Sequence, residues 1–328
     1  MFSVIIPLYN KEQTIIRTLY SVLTQTYQGF EIIIVNDGSK DDGLNRINEN
    51  ISDSRIKIIN QENQGVSAAR NRGVAEAKKD YIAFLDADDE WLPGYLEKVK
   101  EAINLFPDAG MYCTPGLHRS IVTGEGVFFI ENKFKNKILE IDYFADPKKL
   151  GGQTSGVVVS KYHFNVLKDK YEGSGFPIGL NLNEDWACFQ SLAFISKSVY
   201  IGFSLTIRNV DVNDQLVNLS DNGFDMRLNK SPKYLNITFR NFIKSKSKSK
   251  SFIVYRKHEI RSFISFFLRG GYKLSVLNDF LNNLDLDSLQ MFPKYEIKFY
   301  RRCNIRFVIL GYVIMTKLFW KLKKRVIQ

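Results

Sequence analysis

The sequence predicts an α/β fold: a mostly parallel central sheet flanked by helices, followed by a basic helical extension. Three observations carry that prediction. Short apolar runs alternate with helix-period segments over residues 1–113. Those runs are apolar nearly throughout, as strands covered on both faces are, and not merely at every second position. Finally, 328 residues with 45% hydrophobic content suffice for one large core, or for a core with an appendage.

The strands are expected at Ser3–Leu8, Phe30–Val35, Arg55–Ile59, Tyr81–Leu85 and Ala109–Cys113. The first helical pattern places Ile15, Ile16, Leu19, Val22 and Leu23 on one face, with Asn10 as N-cap and Gln13 three residues on as its capping-box partner. The alanine-rich stretch Gly65–Lys79 predicts a third helix. A fourth runs from Pro93, a residue suited to the first helical position, to about Phe106. Residues 114–160 change character, with Gly116, Gly124, Gly126, Gly151 and Gly152 punctuating β-like runs such as Gly126–Ile130 and Gly156–Ser160. These predict an antiparallel addition to the sheet. Helical spacing returns at Glu184–Ile195, and composition shifts again after Asp225. The alternating Lys-Ser run Lys244–Ser251 is either a solvated loop or a strained helix end.

The net charge of +11 is unevenly distributed. Residues 1–229 hold 24 Lys and Arg against 30 Asp and Glu, whereas residues 230–328 hold 22 against 5. That asymmetry predicts an acidic body with a basic appendage suited to an anionic surface. Three dispersed cysteines (Cys113, Cys188, Cys303) lack metal-ligand spacing and suit a reducing compartment. No basic segment precedes the first apolar run, so no signal peptide is expected.

Chemistry concentrates where predicted strands end. Asp86-Ala87-Asp88-Asp89 follows the apolar run Tyr81–Leu85, and ligands of open α/β sheets bind beyond the carboxyl ends of strands. Three carboxylates in four positions repel one another unless a positive charge lies among them. The segment is either a solvated acidic turn capping the next helix or a site for a hard divalent cation that bridges to phosphate. Pro7-Leu8-Tyr9-Asn10 and Asn36-Asp37-Gly38-Ser39 end two further strands, so the same sheet edge should hold them. The Asp37 carboxylate can accept hydrogen bonds from a nucleobase, and Gly38 permits a tight turn beside a ligand; an ordinary turn explains the segment as well. In Gly65–Gly73 small residues allow close packing, and Arg70 suits either an anionic ligand or a salt bridge. Asn183-Glu184-Asp185-Trp186 opens a helix, where acids serve as a base or simply complement the helix dipole.

Taken in order, Ser3–Asn10, Asn36–Ser39, Gly65–Gly73, Asp86–Asp89 and Glu184-Asp185 resemble the motifs of the family 2 glycosyltransferases, which have the GT-A nucleotide-diphospho-sugar transferase fold. The resemblance covers roughly residues 1–215. It implies a catalytic domain over residues 1–225, with a nucleotide-binding half (1–113) and an acceptor-side half (114–225), and a basic helical region over 226–328. It further implies that Pro7 and Tyr9 line the nucleotide pocket, that Asp37 reads the base, and that Arg70 lies near base or phosphates. Asp86 and Asp88 would be the Asp-x-Asp pair, with Asp88 the direct ligand of Mn²⁺ or Mg²⁺, Asp86 closer to ribose and metal, and Asp89 a supporting acid. Asp185 matches the catalytic base of inverting members. The activity implied is metal-dependent transfer of a sugar from a nucleotide-sugar donor, UDP-linked, to a saccharide or lipid-linked acceptor in cell-surface polysaccharide biosynthesis. A non-catalytic nucleotide-sugar-binding or membrane-surface scaffold protein is the alternative.

One feature departs from the family pattern. Many members carry a histidine in an Arg-x-His-like segment after the base, whereas Ile207–Asn213 has none. Arg208 and Asp211 are the candidates to compensate. The three histidines (His118, His163, His258) do not cluster in sequence and are expected as surface or packing residues. Thr154 and Ser155, in an acceptor-side segment, are expected either to touch a sugar or to form a plain hairpin. Residues 301–328 contain eight basic residues and no acid. Their ten-residue apolar run, Phe307–Thr316, is half a bilayer span. The following Lys317–Arg325 mixes aromatics and cations as membrane-surface helices do, although packing on the catalytic domain remains the alternative. The expected location is the cytoplasm, peripheral to the inner face of the membrane, and no nucleic-acid motif is present.

Overall fold

Strand β1 (Phe2–Leu8) shows how the sheet is built. Val4, Ile6 and Leu8 enter one apolar cluster and Ile5 the other, all with no solvent exposure. Successive side chains on a strand point to opposite faces, so both faces must be covered. The computed structural model describes residues 1–120, 123, 125–128, 130, 132–145, 153–180, 183–210, 221–247, 249–269 and 274–284.

The eight-stranded sheet has the order β3-β2-β1-β4-β10-β6-β11-β9. Its strands are β1, β2 (Phe30–Asp37), β3 (Ile56–Gln61), β4 (Tyr81–Phe84), β6 (Ala109–Cys113), β9 (Ile138–Ile141), β10 (Val157–Ser160) and β11 (Lys197–Ile201). Strands β3, β2, β1 and β4 run parallel, and β10 is antiparallel between β4 and β6. Because β1 lies between β2 and β4, the chain winds outward in both directions from it, and the carboxyl ends of β1, β2 and β4 meet at one edge.

Helices α1 (Ile15–Leu23) and α4 (Tyr95–Leu105) cover one face with Ile15, Leu19, Val22, Leu96 and Val99. Helix α2 (Gly43–Asn50) adds Ile47 to that side. On the other face lie α3 (Val66–Glu76), α5 (Lys161–Lys170) and α6 (Glu184–Ile195), contributing Ala69, Val74, Phe164, Phe189 and Leu192. Each such fully buried side chain stabilises the fold by about 1.5–3 kcal/mol, so this double cover makes the β1/β2/β4 edge a rigid platform. Gly73 is the point of closest approach: a Cβ there would lie 2.4 Å from Ile5 Cγ2, so α3 lies against β1 only because this residue is glycine.

Three local expectations are corrected. Asn10 is not the N-cap of α1; its φ of +51° is left-handed, and the chain makes a further turn before the helix, with Ile15 N–H donating to Lys11 O. Asn10 instead ties two loops together: its side-chain Oδ1 accepts from Lys40 N–H, and its backbone N–H donates to Ser39 Oγ. Pro93 precedes its helix by two residues, and Gly94 is the cap. Of the segment expected to extend the sheet antiparallel, β10 does so, but β7 (Gly116–Ser120) and β8 (Gly126–Phe128) form a second sheet, ordered β5-β12-β7-β8, with β5 (Glu90–Trp91) and β12 (Thr206–Val210). That small sheet tethers the acidic turn from its far side. The Lys-Ser run, expected as a loop or a helix end, includes the last residue of one helix and the first of the next, and Ser249 Oγ accepts from Phe252 N–H as a helix-start cap.

Helices α7 (Asp221–Lys244), α8 (Lys250–Arg269) and α9 (Leu274–Asn282) follow. Phe239, Phe242, Phe252 and Tyr255 enter the same apolar cluster as Phe189 of α6. A buried polar network joins these helices. The fully buried Arg256 donates to Gln190 Oε1 (2.9 Å) on α6 and to Thr238 Oγ1, and its Nη1 lies 3.0 Å from Glu259 Oε2. Glu259 Oε1 accepts from the Tyr234 and Tyr255 hydroxyls. No helix among the described residues is long and apolar enough to cross a membrane. The basic segment 301–328 and Asp211 lie outside the described residues.

Removing one member of a buried ion pair strands the other. Arg256→Met should therefore destabilise the protein by about 3–5 kcal/mol in urea unfolding. An unchanged midpoint would show that the Arg256 network contributes nothing to the protein's stability.

Candidate active site

The acidic turn begins one residue after β4. Leu85 N–H donates to Ile5 O, and Asp89 N–H closes the turn on Asp86 O (3.1 Å). The turn's carbonyls are all taken by neighbours: Ala87 O accepts from Thr14 and Thr18, Asp88 O from Arg17 and Asn209, and Asp89 O from Thr18. With its backbone fixed on α1 and β12, the turn resolves the repulsion among its carboxylates by giving each a separate partner. Asp86 Oδ1 accepts from Arg70 Nη2 at 2.7 Å, Asp88 Oδ2 pairs with Lys11 Nζ at 2.8 Å, and Asp89 Oδ2 accepts from Ser155 Oγ at 2.5 Å. The side chains of Asp86 and Asp88 are 34% and 33% exposed, so they are reachable. Asp89 is buried at 4%, and burial, then Asp86 and Asp88, push its carboxyl well above the ordinary range, against Ser155 and Arg208.

Arg70 on α3 is the centre of this arrangement. Its guanidinium is buried, lies 5.1 Å from the centroid of the Phe176 ring, and bridges Asp86 to Glu184 Oε1 (3.0 Å). Burial opposes its charge, but Asp86 and then Glu184 outweigh burial, and its pKa is raised. The structure gives Arg70 the salt-bridge role that its sequence context allowed, as a clamp between two carboxylates.

Asp185, the next residue of α6, is half-buried. Its Oδ1 accepts from Trp186 N–H (2.7 Å) and its Oδ2 from Thr154 Oγ1 (3.1 Å). Burial raises its pKa, opposed by Arg70 and by these two donors. Glu184 is raised likewise, by burial and then by Asp185, against Arg70. Asn183, at φ +62°, turns the chain into this helix and brings both acids to the cluster.

At the neighbouring strand ends, Tyr9 is 44% exposed and Pro7 is half-buried. Asp37 is buried, and its carboxylate accepts from Gln61 Nε2 (2.7 Å), Gln64 N–H (2.9 Å) and Gly65 N–H (2.8 Å). It therefore holds loop 61–65 against the end of β2 and shapes the entry to α3. Gly38 (φ +71°) passes close beneath that loop, since a Cβ would lie 3.0 Å from Asn63 N. Arg208 on β12 is exposed, lies in register with His118 of β7, and its charge acts on both Asp89 and His118.

Sequence reasoning missed Lys11 as partner of Asp88, Asn209 as a tether, and the Thr154-Ser155 pair as partners of carboxylates. Asn209 sits inside a quoted segment and Lys11 directly follows one, but nothing in their spacing points to these contacts.

Among the described residues no group of three or more His, Cys, Asp and Glu side chains forms a metal-ligand set. The donor chemistry nevertheless fits a hard cation. Asp86 and Asp88 are reachable carboxylates on one short turn, and Mg²⁺ or Mn²⁺ at diphosphate sites commonly takes one or two carboxylates, the substrate supplying further oxygens. Lys11 holds one carboxylate oxygen of that pair.

The comparisons with known proteins agree with this architecture. Crystal structures of Staphylococcus aureus TarS, residues 1–349, superpose over 95% of this chain and 90–91% of theirs. The complex with UDP gives a TM-score of 0.71 at 17% identity, and the complex with UDP-GlcNAc 0.67 at 16%. The glycosyltransferase GlyA of Streptococcus pneumoniae serotype 4 is 32% identical over 211 residues, 62% of this chain and 30% of GlyA. The uncharacterized glycosyltransferase YibD of Escherichia coli K12 is 43% identical over 97 residues, 29% of this chain and 28% of YibD. The chain thus spans less than a third of the length of these two relatives. Residues 3–143, which hold the three strand ends, Arg70 and the acidic turn, match the family model described as glycosyl transferase family 2. Over residues 3–143 the chain is thus similar to the family 2 glycosyltransferases, and it shares the fold of TarS.

Proposed function

We propose that the protein is a metal-dependent inverting glycosyltransferase that takes a UDP-linked sugar as donor. The observation that carries this reading is the Arg70 bridge: it draws the acids of the β4 end and of the α6 start into one charge-balanced cluster beside the β1 and β2 ends. A donor lying along that edge has Pro7, Tyr9 and the loop organised by Asp37 at its nucleotide. The diphosphate then falls toward Asp86 and Asp88. Those two residues would hold Mn²⁺ or Mg²⁺, which when bound stabilises the negative charge that the departing nucleoside diphosphate develops. Arg208 supplies a further positive charge near the acidic turn, a role suited to the lost family histidine.

Asp185 takes the proton of the acceptor hydroxyl as that oxygen attacks the anomeric carbon from the side opposite the leaving group. One in-line displacement inverts the centre, so an α-linked donor gives a β-linked product. Two features equip Asp185 for this: it lies in the Arg70 cluster beside the acidic turn, and burial raises its proton affinity above that of a free carboxylate. The UDP and UDP-GlcNAc complexes of TarS, which shares the fold, support a UDP-sugar as donor here. The acceptor is a saccharide or lipid-linked saccharide of the cell surface. The excess of basic residues in the C-terminal third supports a location at the inner face of the membrane, each basic residue near an anionic surface being worth about 1 kcal/mol.

Asp88→Ala should lose Mn²⁺-dependent UDP binding in calorimetry, along with UDP release from UDP-sugars; wild-type turnover in that variant would refute the metal assignment. Asp185→Asn should keep UDP binding while kcat falls about 10²- to 10⁴-fold. Lost binding with surviving chemistry would show that another group is the base.

A further inference from the structure

The turn that precedes β10 touches both halves of the proposed site. Thr154–Gly156 forms one turn of 3-10 helix, with Thr154 and Ser155 buried at 6% and 0%. Neither hydroxyl is available to a sugar. Each instead meets a carboxylate from a different element: Thr154 Oγ1 donates to Asp185 Oδ2 (3.1 Å), and Ser155 Oγ donates to Asp89 Oδ2 (2.5 Å) while accepting from Asp86 N–H (3.1 Å). The backbone beneath them is pinned. Trp91 Nε1 donates to Ser155 O (2.7 Å), Gly156 N–H donates to Gln153 O (2.8 Å), and Thr114 N–H donates to Gly156 O (2.8 Å). A Cβ on residue 156 would lie 2.4 Å from Thr114 O, so the turn packs this closely on the chain after β6 only because the residue is glycine.

We propose that Thr154 is a positioning residue for the base: its hydroxyl, fixed on this turn, holds the Asp185 carboxylate in register with the acidic turn that Ser155 grips. The inference rests on the reading of Asp185 as the base. The physical argument is one of torsional freedom. The Trp186 N–H reaches only Oδ1, which leaves the carboxylate free to rotate about its terminal torsion, where side-chain energy wells are broad. A second donor on Oδ2 removes that freedom. Because adjacent residues carry the two hydroxyls, the base and the acidic turn share one rigid reference, and the spacing between proton acceptor and leaving-group site is set by a single backbone segment. A base displaced by about 1 Å loses rate steeply, so this spacing matters to turnover more than to stability.

Thr154→Val tests this, because valine fills nearly the same space and removes only the hydroxyl. UDP release from UDP-N-acetylglucosamine and UDP-glucose with Mn²⁺, together with UDP affinity by calorimetry, is measured for wild type, Thr154→Val, Thr154→Ser and Asp185→Asn. Loss of a hydrogen bond to a charged group predicts a fall in kcat of about tenfold to a hundredfold for Thr154→Val, with donor KM and UDP affinity unchanged, and recovery in Thr154→Ser. Wild-type kcat in Thr154→Val overturns the inference. So does a parallel loss of UDP affinity and melting temperature, or a failure of Thr154→Ser to recover, since either marks a packing role. If Asp185→Asn itself turns over normally, the assignment of the base fails; if Asp185→Asn is inactive and Thr154→Val is not impaired, only the role of Thr154 fails.

Discussion

A guanidinium enclosed by protein persists only if it is paired and hydrogen-bonded, because an unpaired charge in a poorly polarisable interior is far more costly than the same charge in water. Arg70 meets that condition with Asp86 and Glu184, residues 16 and 114 positions away in sequence. The bridge fixes α3, the end of β4 and the start of α6 against one another. It also explains how so many acids share a small volume. Without the central cation, Asp86, Asp89, Glu184 and Asp185 would repel across a medium that screens weakly, and one or more would be driven to protonate.

The division of labour among the acids follows from exposure and partners. Asp86 and Asp88 stay reachable because each is paired with a cation through one oxygen, whereas Asp89 is enclosed and faces a hydroxyl. A buried acid held by Ser155 suits a structural post better than a ligand that must exchange water for metal. Behind the base, Gln190 of α6 donates to Tyr234 and accepts from Arg256, so the helix that carries Asp185 is held on its far side by α7 and α8. The helical region after residue 225 is in this sense part of the scaffold of the site, at least as far as Leu284.

Much of the fold was legible because it rests on local patterns. The apolar runs found the parallel strands, and Glu184–Ile195 matched its helix end to end, since burial on both faces of a sheet writes itself into consecutive residues. Asn10 misled because a good capping residue followed by an apolar stripe also fits a loop that makes one extra turn first; the deciding fact, its link to Ser39 and Lys40, is non-local. Strands β7 and β8 were visible as β-like runs, but which sheet they join is set by pairing with β12, some 90 residues on. The same limit applies to the site. Motif order brought Asp37, Asp86, Asp88 and Asp185 to attention, while the partners that give each its role (Gln61 and Gly65, Arg70, Lys11, Thr154) depend on side-chain directions that no spacing encodes.

The central claim is that Arg70 acts as a two-pronged clamp, not merely as a positive charge. Arg70→Lys isolates that property, since lysine keeps the charge but lacks the planar fork that meets two carboxylates at once. Turnover of UDP-N-acetylglucosamine by folded Arg70→Lys, checked by circular dichroism, is the most direct measurement. The clamp predicts a fall in kcat of at least about tenfold with the fold retained. Wild-type turnover would contradict it.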